Sequence, residues 1–96
     1  MHFVITCVDK KDGGLELRKA NRPDHVEYLK AHADQIIAAG PTLADDAETM
    51  TGSVIIMDFA DRAAAERFSE NDLYAKAGVF ESVTVTPWKK VFPADG

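Results

Sequence analysis

Two side chains of this sequence suit proton transfer: His25, in Arg22-Pro23-Asp24-His25, and Asp72, in Asn71-Asp72-Leu73-Tyr74. Imidazole titrates near neutral pH, so it can take a proton and give it back. A carboxylate on its other ring nitrogen would fix the tautomer and stabilise the imidazolium, as in a catalytic triad. His25 just after Pro23 reads as a residue in the first turn of a helix. There the positive end of the helix disfavours imidazolium and a neighbouring carboxylate favours it. Each residue also has a plainer reading. His25 could be an exposed or capping histidine, and Asp72 a turn aspartate after a helix.

A second set could hold a substrate. Arg22 could clamp an anion, because guanidinium pairs bidentately with carboxylates. Ser53 and Tyr74 are candidate hydrogen-bond donors, and Trp88 could form an apolar wall. Asp9 closes the first strand and could orient the histidine or bind substrate. Taken singly, each also reads as a structural or surface residue.

Metal and nucleotide chemistry find no support. His32 lies two helical turns beyond His25, roughly 10 Å away, and His2 lies at the terminus. HExxH, paired CxxC and facial-triad spacings are absent, as are GxGxxG and P-loop patterns. Asp45, Asp46 and Glu48 lack the calcium-loop spacing. Cys7, in the middle of a strand, reads as a small buried hydrophobe. The expectation is therefore no metal and no cofactor.

The elements that must position these residues follow from periodicity. Phe3–Val8 is an apolar, β-branched strand, followed by a Gly13-Gly14 turn and a short helical approach over Leu15–Ala20. Pro23 suits a first helical position. Val26, Leu29, Ala33, Ile36 and Ile37 follow at helical spacing, and Gly40-Pro41 supplies stop chemistry. A weak strand over Thr42–Ala44, a clear one over Ser53–Phe59 and a helix capped by Asp61 come next. A helical turn over Leu73–Ala77 ends at Gly78, and a strand runs from Val79 to Val91, interrupted near Pro87. The order β-α-β-β-α-β predicts an α+β fold of the ferredoxin-like kind, with both helices on one face of an antiparallel sheet. The strands are apolar on both parities. This predicts a homodimer whose bare sheet faces pack together and whose Thr84, Thr86 and Trp88 face could line a pocket.

The 96 residues fit one domain, with a core over 1–92 and a tail over 93–96. Hydrophobic residues make up 46% and charged residues 28%, an ordinary globular balance. A net charge of -5 argues against nucleic acid and anionic membranes as partners. A single cysteine, the lack of a basic leader and the lack of a long apolar run point to the cytoplasm.

Arg22-Pro23-x-His25-x-x-Tyr28-Leu29, Gly40-Pro41, Thr51-Gly52-Ser53, Asp72-x-Tyr74-x-x-Ala77-Gly78-Val79-Phe80-Glu81 and Pro87-Trp88-Lys89-Lys90-Val91-Phe92 together resemble the YciI-like (YCII) family. The resemblance runs from the first strand to Phe92. It implies a dimeric α+β barrel of ferredoxin-like subunits and a functional histidine and aspartate, which fall on His25 and Asp72. The family usually reads Asp-Pro-Tyr where this chain has Asp72-Leu73-Tyr74, so the carboxylate stays and the loop is expected to be less rigid. The stretch from Pro41 to Thr51 is also shorter than in some relatives, which implies a different pocket rim. One member is a dehydrochlorinase of a chlorinated hydroxyhydroquinone. The function implied is a small cofactor-free enzyme performing His–Asp acid/base chemistry on an aromatic or enolisable molecule, of lyase, dehydrochlorinase or isomerase type. The alternative is a non-catalytic ligand-binding or assembly domain of the same dimeric fold. Fold analogy alone adds a cofactor-free oxygenase.

Overall fold

The computed structural model describes residues 1–93; residues 94–96 of the expected tail lie outside the described residues. Strand β1 (His2–Asp9) alternates strictly, with Phe3, Ile5, Cys7 and Asp9 buried. Helix α1 (Gly14–Ala31) follows a left-handed Gly13 at φ 83°, a conformation that glycine adopts without steric cost. A single 3-10 turn (Ala33–Gln35) leads into β2 (Ile36–Leu43). Strand β3 (Met50–Asp58), α2 (Arg62–Asn71), α3 (Leu73–Lys76) and β4 (Phe80–Trp88) complete the chain. The sheet order is β2-β3-β1-β4 and every pairing is antiparallel. This is the expected ferredoxin-like α+β topology.

The course of α1 differs from the sequence expectation at both ends. The helix starts nine residues before Pro23 and runs through it. Proline lacks the N–H that would bond the carbonyl four residues back, yet the surrounding packing holds the helix continuous. At the other end, Ile36 and Ile37 belong to β2, and Gly40-Pro41 lies inside that strand rather than stopping a helix. Because β2 is an edge strand, it tolerates a proline without an N–H to donate.

The core lies between the sheet and the helices. Phe3, Ile5, Ile55 and Met57 pack with Phe59, Ala65 and Phe68 of the α2 side. Each large apolar side chain buried there contributes about 1.5–3 kcal/mol. Asp61 caps α2, accepting the Ala64 N–H at 2.8 Å. Gly78, at φ 79°, turns the chain after α3 towards β4. Gly52 is demanded by close packing, since a Cβ there would collide with the Cys7 carbonyl.

Among the described residues the other sheet face carries no helix. Its rows follow from the register: Thr86, Val4, Ile56 and Ala38 in one, Thr84, Thr6, Val54 and Gly40 in the next. Trp88 pairs with His2 at the end of this face, their ring centroids 6.1 Å apart.

Candidate functional site

Asp72 sits at the junction of α2 and α3. Its Oδ1 accepts the Tyr74 N–H at 2.9 Å, which caps α3 and fixes the carboxylate. The same oxygen lies 2.8 Å from His25 Nδ1. A carboxylate only accepts, so Nδ1 carries the proton and Nε2 presents its lone pair. Nε2 has no hydrogen-bond partner among the described residues. His25 as a whole is 7% exposed and Asp72 3%, so water barely screens their contact. The Tyr74 ring stacks on the imidazole, with centroids 3.8 Å apart and planes 11° from parallel. Leu73 in place of proline leaves Asp72 aimed at His25.

His25 is the twelfth residue of α1, not a first-turn residue, so the expected influence of the helix terminus falls away. Partner and stacking, rather than the macrodipole, define its surroundings.

A pocket of about 180 Å³ opens beside this pair, between α1 and the helix-facing side of β2 and β3. Arg22, His25, Val26 and Leu29 of α1 form one wall. Ala39, Gly40 and Pro41 of β2 and Ser53 of β3 form another, and their small side chains leave the space open. Arg22 is exposed and has no ion pair among the described residues. Burial pushes the Tyr74 phenol above its ordinary value, against the pull of Arg18 and Arg22, so it is an O–H donor at neutral pH.

Two expected site residues stand elsewhere. Asp9 does not orient the histidine. It is buried and holds Arg18 by two hydrogen bonds, 2.7 Å to Nε and 2.8 Å to Nη2. Trp88 lies on the opposite sheet face, because strand alternation places it with Thr86 and Thr84. The pocket therefore lies under α1, not on the Thr84, Thr86 and Trp88 face. Cys7 is buried, and desolvation together with the Asp72 charge pushes its thiol up to about 12, leaving it a poor nucleophile. Among the described residues no group of three His, Cys, Asp or Glu side chains is placed to hold a metal. No described helix is long and apolar enough to cross a membrane.

Arg18 was missed by the sequence reading. It is 2% exposed, bridges Asp9 and Ser53, lines the pocket and lies 4.6 Å from the Tyr74 ring centroid. Its signal was present: residues 18, 22 and 25 are spaced i, i+4, i+7 and share one helix face. Starting the helix at Pro23 hid that pattern.

Comparison with known proteins identifies the family and the fold. The model of the YCII-related domain matches residues 1–89. Protein YciI of Escherichia coli O6:H1 is 40% identical over 96% of this chain and all of that protein. An uncharacterised protein of Haemophilus influenzae is 37% identical over the same share. The 5-chloro-2-hydroxyhydroquinone dehydrochlorinase TftG of Burkholderia phenoliruptrix AC1100, solved in complex with 2,5-dihydroxybenzoquinone, is 34% identical with a TM-score of 0.87. That match covers 99% of this chain and all of TftG. An antibiotic biosynthesis monooxygenase of Nitrosomonas europaea, at 14% identity and a TM-score of 0.55, shares the fold alone. With a family model spanning nearly its whole length and relatives of this similarity, the chain belongs to the YCII-related domain family.

Proposed function

We propose that this protein is a small cofactor-free enzyme in which His25, oriented by Asp72, acts as general base on a hydroxylated single-ring molecule. The observation that carries this reading is the 2.8 Å contact between His25 Nδ1 and Asp72 beside a pocket that His25 lines. The contact leaves Nε2 as the basic atom. At about 180 Å³ the pocket falls below the ~300–1,000 Å³ of sites for drug-sized ligands, which suits one substituted ring. Arg22, Ser53 and Tyr74 would bind the substrate's polar groups. The likeness to TftG favours elimination of hydrogen chloride.

In that step Nε2 takes one proton. Its bonding pair moves into a new π bond of the product, and chloride leaves with the C–Cl pair. The reacting tautomer has a tetrahedral chlorine-bearing carbon. The imidazolium then returns its proton to water, and no outside oxidant is required.

We also place the protein in the cytoplasm as a homodimer. Its single thiol suits a reducing compartment. The bare sheet face, with Val4, Val54 and Ile56 at its centre, suits a second copy.

The test is chloride release from chlorinated hydroxyhydroquinones under anaerobic, reducing conditions, with quinone absorbance read in parallel. Wild type is expected to release chloride, and His25→Gln to lose on the order of 10²–10⁴ of the rate. Binding of these rings by wild type without chloride release would replace the enzyme with a ligand-binding domain.

A further inference from the structure

We propose that the pocket has an apolar end, formed by Val26, Leu29, Ala39 and Ile55, which takes a small apolar substituent of the ligand's ring, and that Ala39 limits the size of that substituent. The proposal rests on the functional reading above for the ring itself. It goes further by naming the ligand class: a ring hydroxylated at one edge and carrying hydrocarbon at the opposite edge.

The two ends follow from the elements that line the pocket. Arg18 donates to Ser53 Oγ at 2.9 Å, so these two stand together at one end, and His25 follows on the same helix face. Leu29 comes eleven positions after Arg18, roughly 16 Å further along α1. Ile55 comes two positions after Ser53 on the same face of β3, roughly 7 Å along the strand. Leu29 packs against the core cluster that contains Ile55, so helix and strand reach the same far end. Ala39 pairs with Ile55. Cross-strand partners share a face, so the Ala39 methyl points to the helix side as well. None of these four side chains can form a hydrogen bond.

Ala39 is the one with room around it. Ile55 is 2% exposed and belongs to the core, and Val26 and Leu29 are half-buried on α1. Ala39 faces the helix side, yet it is exposed, on the edge strand β2. A longer side chain at position 39 therefore meets the ligand rather than the fold. Water at this end finds hydrocarbon side chains and is displaced at a gain by an apolar group. Each methylene taken up there is worth about fourfold in affinity.

The experiment is calorimetric titration, under reducing conditions, with catechol and its 4-methyl, 4-ethyl and 4-butyl derivatives. Wild type is expected to tighten about fourfold per carbon from catechol to 4-ethylcatechol. Ala39→Leu is expected to weaken 4-ethylcatechol at least ten times more than catechol. Equal affinities across the wild-type series, no binding of any member, or equal losses for the two ligands in Ala39→Leu would each overturn the proposal. Leu29→Ala changes the same end in the opposite direction and is measured beside it, with circular dichroism as the check on folding. The folded variant is expected to favour 4-butylcatechol over 4-ethylcatechol more than wild type does; a wild-type ratio overturns the proposal. A failed enzyme reading shows differently, as size-selective binding by wild type with no chloride release from chlorinated hydroxyhydroquinones.

Discussion

Asp72 performs two tasks with one oxygen, capping α3 and accepting from His25, and substitutions can separate them. Asp72→Asn keeps an oxygen able to accept the Tyr74 N–H, so the fold should survive. The amide can equally turn its NH2 towards Nδ1, which moves the ring proton to Nε2 and removes the base. Turnover of the chlorinated substrate is expected to fall about a hundredfold or more, with the melting temperature changed little. Asp72→Ala should cost the cap as well, about 1 kcal/mol by urea denaturation. Cys7 yields a prediction of opposite character. Burial, with Asp72 adding to it, holds the folded thiol protonated up to about 12, against an ordinary value of 9.0. The native state therefore keeps a proton that the unfolded chain has lost, and stability falls as pH rises from about 9 towards 12. Below that window Cys7 has no such effect. Tyr28 and Tyr74, both raised by burial, act in the same direction. Cys7→Ala should flatten, without abolishing, the alkaline loss of stability in urea melts between pH 8 and 10.5. The native thiol should also react slowly with iodoacetamide at pH 8 and quickly in urea.

At the scale of elements, the residues that could be read were those with local causes. The Asp61 cap, the Gly78 turn and the apolar, β-branched strands β1 and β3 carry their signals within a few positions, and the structure has them. The pairing of His25 with Asp72 followed from family resemblance, since no local rule links residues so distant in sequence. The error lay in α1 and β2. Pro23 reads as a helix start and Gly40-Pro41 as a stop, yet tertiary packing overrides both. Ile36 and Ile37 fit a helical stripe as well as a strand, and only the edge of the sheet decides between them. Arg18 stayed unseen for the same reason, because its face is defined only if the helix crosses Pro23. This invites a test of Pro23 itself. It is exposed in the helix interior, where proline costs about 3 kcal/mol relative to alanine. Part of that is offset by its stiffening of the unfolded chain, about 0.4–1 kcal/mol. Pro23→Ala should therefore raise stability by about 2–2.6 kcal/mol in urea denaturation. If stability instead falls, the ring packs on the fold in a way the helix needs.

The whole molecule is a slab of 41 × 28 × 21 Å, two layers thick, and its chemistry and its bare face lie on opposite sides of one sheet. The pocket is lined by α1, α3 and the helix-facing residues of β2 and β3, while Val4, Thr6, Val54 and Ile56 face the other way. Val8 is 45% exposed in the single chain and extends that apolar strip. A strip of this kind on a chain this short suits burial against a copy of itself, the sheets meeting face to face. A two-fold axis would place each Ile56 near the middle of the contact. Ile56→Arg then sets two like charges in a desolvated interface. The wild type is expected to have the mass of a dimer by light scattering, and Ile56→Arg that of a monomer with an unchanged circular dichroism spectrum. Because the pocket draws on the helix side alone, the monomeric variant should still bind 2,5-dihydroxybenzoquinone. Any loss of affinity should scale with lost stability rather than with lost contacts. Dimeric mass in the variant would put the interface elsewhere. A folded monomer that binds nothing would mean that the second copy completes the site, and the separation of interface from chemistry across the sheet would fall.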